Sequence, residues 1–162
     1  MNFSESYFET PDFVFLIGIA GSGKSTWLKG QDLTGYVIVS PDEIRRELTG
    51  NISDQTVNGK VWAIAKERTI KYLNSGTSVI LDATNVNTKN RKEFVKGLPT
   101  CNIKAKIFPA DAEESFRRIS ADISKGVDRS NVPKFAVEKM YQQYLHTMSV
   151  IDQEGYEVIE NL

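Results

Sequence analysis

Residues 13–26 read FVFLIGIAGSGKST, an apolar run that leads directly into a glycine-rich loop. The loop satisfies the pattern G-x-x-x-x-G-K-[ST], in which glycines turn backbone N–H groups toward phosphate oxygens and a helix start adds partial positive charge. A glycine turn with a surface lysine is the alternative, but it would not require a strand before the loop and a helix after it. We predict a phosphate-binding P-loop, with nucleotide contacts from Gly18, Gly21, Ser22, Gly23, Lys24, Ser25 and Thr26.

Two of these side chains have specific predicted roles. Lys24 is expected to reach the β- and γ-phosphates of ATP or another nucleoside triphosphate, and to act in catalysis there. The hydroxyl of Ser25 is expected to ligate Mg²⁺, which prefers oxygen ligands.

The composition of the chain limits its possible functions. The 162 residues predict one domain, 1–162, in which residues 1–12 form an N-terminal extension of unknown role. Twenty basic residues oppose 21 acidic ones, so a nucleic-acid partner would need a local basic patch. The single Cys101 excludes an internal disulfide. Without an apolar span or a signal-peptide pattern at residues 1–9, no membrane association and a cytoplasmic location are expected.

Strand-like and helix-like stretches alternate along the chain. The strand-like stretches are short, apolar and spread over the whole length: 13–19, 36–40, 77–82, 102–108 and 156–160. Helical apolar spacing appears between them, in 57–65, 112–123 and 137–148. This alternation predicts an α/β P-loop kinase fold, with a five-stranded parallel sheet flanked by helices on both faces.

The stretch SPDEIRRE, at 40–47, follows the second predicted strand and resembles a helix start. Ser40 fits the N-cap position, and Glu43 would complete a capping box with it. Asp42 is then free in the first turn, at the sheet edge where open α/β folds bind ligands. It is a candidate base for an acceptor hydroxyl, with Arg45 as an anion clamp for the acceptor. The alternative is a solvated first turn with ion pairs along one helix face.

A second carboxylate ends the third predicted strand in VILDATN. Asp82 is predicted to support Mg²⁺, although a plain acid at a strand end is possible. Thr84 and Asn85 are expected to line the floor of the cleft, where Asn85 could bind the acceptor or a phosphate.

An arginine-rich stretch occupies SFRRISADISKGVDRSNVP, at 115–133. Phosphoryl transfer needs positive charge over the transferred group, and a mobile lid often supplies it. Arg118 and Arg129 are therefore candidates for binding ATP phosphates, Arg118 with a catalytic role. A solvated helix face is the alternative, especially for Arg117.

Taken together, four motifs resemble those of one enzyme family. GIAGSGKST, SPDEIRR, LDATN and SFRRISADISKGVDRSNVP, in this order, are similar to the 5′-hydroxyl polynucleotide kinase modules of bacterial and phage RNA- and DNA-repair enzymes. The likeness extends from about Phe13 to about Leu162. Repair enzymes of this family usually carry a phosphatase or ligase domain as well, and these 162 residues contain neither.

The resemblance implies roles for individual residues. It implies that Asp42 takes the proton of the acceptor 5′-hydroxyl and that Arg45 contacts the 3′-phosphate of the acceptor nucleotide. It also implies that Arg118 and Arg129 hold the ATP phosphates. The implied activity is ATP- and Mg²⁺-dependent phosphorylation of RNA or DNA 5′ ends, and protein partners are unknown.

Two other functions are compatible with the same residues. Proteins of the wider group share the P-loop and the D-A-T-N stretch but phosphorylate sugars, nucleosides or metabolites. A regulatory module that binds a nucleotide and changes shape is the second alternative. Such a switch needs no base on the acceptor side, so the presence of Asp42 and Arg45 favours phosphoryl transfer.

Overall fold

Five short strands form one parallel sheet in the computed structural model, which describes residues 9–162. The strands are β1 (Asp12–Ile17), β2 (Tyr36–Val39), β3 (Ser78–Leu81), β4 (Asn102–Ile107) and β5 (Glu157–Val158). Their order in the sheet is β2-β3-β1-β4-β5, with β1 in the centre. The predicted five-stranded parallel sheet is confirmed, and each strand is shorter than its apolar stretch. Residues 1–8, which include most of the predicted N-terminal extension and of the stretch expected to contain no signal peptide, lie outside the described residues.

Six α-helices connect or follow these strands in the described part of the chain. They are α1 (Lys24–Lys29), α2 (Pro41–Thr49), α3 (Asn58–Asn74), α4 (Thr88–Val95), α5 (Ala112–Ser124) and α6 (Lys134–Glu154). A 3₁₀ turn, Gln55–Val57, precedes α3. Between residues 9 and 162 no helix has the length and apolar character needed to cross a membrane.

The central strand β1 is buried on both faces, which explains its continuous apolar sequence. Phe13, Phe15 and Ile17 face a large cluster built with residues of α2 to α6. Val14 and Leu16 face the opposite side, where α1 supplies cover. The predicted helices on both faces are therefore present, although most of them lie on one side.

Parallel pairing brings the carboxyl ends of three strands to one edge. In register, Phe15 of β1 lies beside Leu81 of β3, and Val39 of β2 lies on the other side of Leu81. The residues that follow these strands therefore converge, although they are far apart in sequence. They are the P-loop after β1, the SPDEIRR stretch after β2 and the DATN stretch after β3.

A buried arginine joins α4 to α6 beneath this edge. Arg91 is 1% exposed, and its guanidinium forms a two-point ion pair with Glu154, at 2.7 and 3.2 Å. It also donates to the carbonyl of Asn85 and to the hydroxyls of Thr88 and Thr147. Burying a charge is costly unless it is paired and hydrogen-bonded, and these contacts meet both conditions.

Replacing Arg91 by alanine is expected to lower the free energy of unfolding by about 3–5 kcal/mol, because the Glu154 carboxylate would be left buried without a partner. Urea denaturation followed by circular dichroism measures this change. The neighbouring Lys92→Ala is the matched control, since Lys92 is exposed, and its effect should stay within about 0.5 kcal/mol. Equal stability of the two variants would contradict the assigned role of Arg91.

Candidate active site

The P-loop adopts a backbone that requires glycine at two positions. Gly21 and Gly23 have φ angles of 76° and 99°, in the left-handed region that other residues rarely adopt. A side chain at position 21 would also place its Cβ 2.7 Å from the carbonyl oxygen of Ser115 in α5. The loop is fixed to the end of β3 as well, because the N–H of Gly18 donates to the carbonyl of Thr84 at 3.0 Å.

Lys24 places its ammonium group inside the loop. Although part of the residue is accessible to solvent, its Nζ donates to the carbonyls of Gly18 and Ile19, both at 2.8 Å. Burial lowers the pKa of Lys24 to about 8, while the negative charges of Asp82 and Asp42 raise it and the positive charge of Arg129 lowers it further. These charges act from separate segments of the chain, so the fold brings the predicted residues together around Lys24.

Asp82 lies at the carboxyl end of β3, as predicted. Its backbone N–H extends the pairing with β2 by donating to the carbonyl of Val39 at 2.9 Å. Burial raises the pKa of the Asp82 carboxyl group, the nearby Lys24 lowers it, and Asp42 and Glu43 raise it. Within residues 9–162 the raised pKa of Asp82 comes from burial and nearby charges and not from a hydrogen bond to its carboxylate. The carboxylate is therefore available to a cation or to water.

The residues at this edge fit Mg²⁺ bound mainly through phosphates and water. Within residues 9–162 no group of three or more histidine, cysteine or acidic residues forms a metal cage. Mg²⁺ usually keeps several waters and takes one or two protein oxygens together with substrate phosphates. Ser25, at the start of α1, and the buried carboxylate of Asp82 supply oxygens of that kind.

Asp42 occupies the first turn of α2. Its carboxylate accepts a hydrogen bond from Nη1 of Arg45 at 2.6 Å, and its side chain is 56% exposed. Ser40 caps the helix by accepting from the N–H of Glu43 at 3.2 Å, which confirms the predicted N-cap. The Glu43 carboxylate binds Arg46 instead of completing the capping box. Asp42 is thus held by one arginine while more than half of its side chain remains open to solvent.

The two arginines of α2 have different environments. Arg45 is 5% exposed, and besides Asp42 it binds the carbonyl of Ile52 and the side chain of Asn58. Its buried Nε has no hydrogen-bond partner within residues 9–162. Arg46 reaches outward to Asp128, at 2.6 Å, in the segment between α5 and α6.

We call residues 125–133, between α5 and α6, the lid segment. Besides the contact with Arg46, Ser130 donates to the carbonyl of Ile52 at 3.3 Å, and the N–H of Asn131 donates to Ser53 at 3.4 Å. The lid segment therefore lies against the loop that follows α2. Its contacts are few and mostly exposed, and exposed ion pairs contribute little stability.

Two arginines of the predicted phosphate-binding set approach the P-loop. Arg118 of α5 donates from Nη1 to the carbonyl of Gly21 at 3.2 Å and from Nε to Glu114 at 3.0 Å. Arg129 of the lid segment binds Asp122 at 2.6 Å and lies near enough to Lys24 to lower its pKa. Arg117 binds Glu114 and is otherwise exposed, as a solvated helix face would be.

Thr84 and Asn85 lie in the loop after β3, beside the P-loop. Asn85 has a positive φ of 51°, and its amide donates to the carbonyls of Leu16 at 2.8 Å and Leu81 at 3.1 Å. The amide nitrogen therefore fastens β1 to β3. Contact of Thr84 or Asn85 with an acceptor stays a prediction.

Three features of the site were not identified from the sequence. Arg91 supports the carbonyl of Asn85, Arg46 holds the lid segment, and Asn58 binds Arg45. Arg91 lies three residues before the buried Phe94 on α4, and this shared helix face was the available signal for its burial.

Comparison with known proteins identifies the family of this fold. A family model described as an AAA domain matches residues 13–146. A protein of Autographa californica nuclear polyhedrosis virus, assigned as a bifunctional polynucleotide kinase/RNA ligase, is 26% identical over 146 residues, covering 80% of this chain and 20% of that protein.

Solved structures show the same fold. A chain in a structure of the Pnkp1/Rnl/Hen1 RNA repair complex has a TM-score of 0.71 at 24% identity, covering 87% of this chain and 46% of that one. A chain in another Pnkp1/Rnl/Hen1 structure has a TM-score of 0.57 at 28% identity, covering 67% and 39%. A Chloroflexus aurantiacus protein described as a kinase has a TM-score of 0.64 at 18% identity, covering 82% and 78%.

These matches confirm the resemblance to polynucleotide kinase modules and the P-loop kinase fold. The chain spans less than half the length of the viral protein and of the repair-complex chains.

The pKa of Lys24 leads to a prediction about stability. Between pH 8 and 10.5 Lys24 has lost its proton in the folded state but keeps it in the unfolded state. Because the unfolded state then binds more protons, the free energy of unfolding rises with pH. The contribution is at most about 1.4 kcal/mol per pH unit. Lys24→Met removes it, so the difference in free energy of unfolding, wild type minus Lys24→Met, should increase across this range. Urea titrations at successive pH values measure this difference. A difference that stays constant with pH would contradict the lowered pKa of Lys24.

Proposed function

Because this chain belongs to the AAA-domain family whose model matches residues 13–146, we propose that it transfers the terminal phosphate of ATP to the 5′-hydroxyl of an RNA or DNA strand. The observation that carries the proposal is the position of Asp42. Its carboxylate is close enough to raise the pKa of Lys24 and accepts a hydrogen bond from Arg45, so it would be oriented toward an acceptor hydroxyl. A switch protein has no need of such a base.

The choice of acceptor is supported by the relatives. The viral protein is assigned as a polynucleotide kinase/RNA ligase, and two of the similar structures are RNA repair complexes or their components. The chain matches only part of each, so we propose the kinase activity alone.

The donor side would be formed by the P-loop. Residues 18–26 would hold the phosphates, and Ser25 and Asp82 would hold Mg²⁺ directly or through water. ATP with Mg²⁺ supplies the phosphoryl group and an electrophilic phosphorus. Lys24 contributes a positive charge that is already desolvated by the loop, and fixed charges of this kind act strongly in a site that excludes water.

On the acceptor side, Asp42 would take the proton of the 5′-hydroxyl. A general base must lie within hydrogen-bond reach of that proton, and a half-exposed carboxylate at the mouth of the cleft can accept it. The 2.6 Å hydrogen bond from Arg45 restricts the carboxylate to one orientation. The positive charge of Arg45, held beside Asp42, would also attract an acceptor phosphate.

Arg118 and Arg129 would complete the site from α5 and the lid segment. They lie beside Gly21 and Lys24 respectively, so their charges would bear on the phosphates. A lid segment resting on the loop after α2 would also limit water, and this favours transfer over hydrolysis.

Replacing Asp42 by asparagine keeps the shape and hydrogen-bonding capacity of the side chain but removes its ability to take a proton. We expect ATP binding to survive and transfer to a 5′-hydroxyl oligonucleotide to fall by at least about 10²-fold. The measurement is transfer of label from γ-labelled ATP, beside calorimetric titration of ATP.

The matched control is Glu43→Gln, the neighbouring acid of the same helix turn, which should retain transfer. Nucleosides and sugars serve as competing acceptors. Retained activity in Asp42→Asn would overturn the assignment of the base. Preference for a bare sugar or nucleoside would move the protein to the small-molecule kinases.

Removing the guanidinium of Arg118 tests the donor side. Arg118→Ala should reduce the transfer rate by about 10²-fold, because the group would stabilise charge developing on the transferred phosphate. Arg118→Lys should restore only part of the rate, since a planar fork matches phosphate better than an ammonium does. Steady-state kinetics on the same oligonucleotide measure both, with Arg117→Ala as the control. Full activity of Arg118→Ala would show that Arg118 is only part of a solvated helix face.

A further inference from the structure

A basic groove of about 750 Å³ lies between α4 and α6. Its lining includes Lys89 and Lys92 of α4, Lys96 just after the end of α4, and His146 and two glutamines of α6. Glu93 is the one acidic residue of the lining, and Lys96 binds it at 2.8 Å. Three lysines against one glutamate give a local charge of +2, in a chain whose net charge is −1.

One end of the groove lies next to the candidate active site. Its lining begins at Val86, Asn87 and Thr88, which directly follow Asn85 in the loop beside the P-loop. Lys89 and Lys92 then follow on one face of α4, and Lys96 comes directly after the helix ends at Val95. The groove therefore leads away from the site along the helix.

A second row of contacts, on α3, connects Arg45 to α4. On α3, Asn58, Trp62 and Lys66 are spaced by four residues and lie on one face, over about 12 Å of helix. Asn58 binds Arg45 at 2.8 Å, and Lys66 donates to the carbonyl of Glu93 at 3.1 Å.

Trp62 lies between these two contacts. Its ring packs edge-on against Phe94 of α4, with the centroids 6.1 Å apart. The residue is 36% exposed, so part of its ring remains open to solvent.

We propose that these elements form a binding track for the single strand whose 5′ end lies at Asp42. The track comprises Trp62, Lys66, Lys89, Lys92 and Lys96, and the proposal rests on the proposed polynucleotide kinase function. Lysines attract backbone phosphates without regard to sequence, and an exposed aromatic ring gives an unpaired base a surface for stacking. This combination fits a nucleic-acid strand better than an acidic peptide, which has no bases to stack.

The test compares a short acceptor with a long one. The short acceptor is a nucleoside 3′-monophosphate, which cannot reach the track, and the long one is a 5′-hydroxyl oligonucleotide of about a dozen nucleotides. In Lys89→Gln/Lys92→Gln we expect the KM for the long acceptor to rise about tenfold, with kcat unchanged. Kinetics on the short acceptor should stay at wild-type values. The control, Lys29→Gln/Lys71→Gln, removes two exposed lysines elsewhere and should leave both acceptors unaffected.

Direct binding separates the track from the kinase activity. Without ATP, fluorescence anisotropy of a labelled oligonucleotide should show weaker binding to Lys89→Gln/Lys92→Gln than to the wild type. The slope of log affinity against log salt concentration should also be smaller by about 1.4, which is about 0.7 for each lost phosphate contact. Trp62→Leu should also weaken binding.

Three results would overturn the track: equal affinity of wild type and the double variant, no gain in wild-type affinity from the short to the long acceptor, or polyglutamate binding as tightly as the oligonucleotide. The wild type could bind the oligonucleotide but phosphorylate no nucleic acid, while the double variant binds it more weakly. In that case the proposed kinase function fails and the track survives.

Discussion

The buried ammonium group of Lys24 is stabilised by nearby carboxylates, and the other charged residues at the carboxyl edge of the sheet lie around it. Lys24 lies among carbonyl oxygens of its own loop, where burial lowers its pKa to about 8. Asp42 and Asp82 offset that effect from the ends of two other strands, while Arg129 acts against them. Lys24, Asp42 and Asp82 follow the carboxyl ends of three neighbouring strands, so the parallel sheet places these three charges, while Arg129 comes from the lid segment. The charges of all four residues thus influence one another across segments that are distant in sequence.

Much of the fold could be predicted from local patterns. A strand, a glycine-rich loop and a helix in succession are sufficient to predict the P-loop, and alternating apolar stretches predict a parallel sheet. The N-cap at Ser40 followed from short-range rules as well. Such features depend on neighbours in sequence, and for this reason they can be read without coordinates.

Other features depend on which elements come together, and the sequence patterns did not reveal them. Arg45 and Arg46 are consecutive in the chain, yet one is buried against Asn58 and the other reaches Asp128. The charged Arg91 belongs to the core because Glu154, 63 residues later, provides its partner. Helical spacing gives the direction of a side chain along its helix, but it does not tell what a distant segment places in front of it.

The close approach of Gly21 to α5 has a consequence for motion in the cleft. The carbonyl oxygen of Ser115 lies only 2.7 Å from where a Cβ at position 21 would be, and the side chains of Ser115 and Ile119 are buried. The first half of α5 is therefore part of the rigid base that carries the P-loop. The residues of α5 after Ile119 are mostly exposed and have no such anchor, so a movement of the lid segment would carry Arg129 and leave Arg118 with the base.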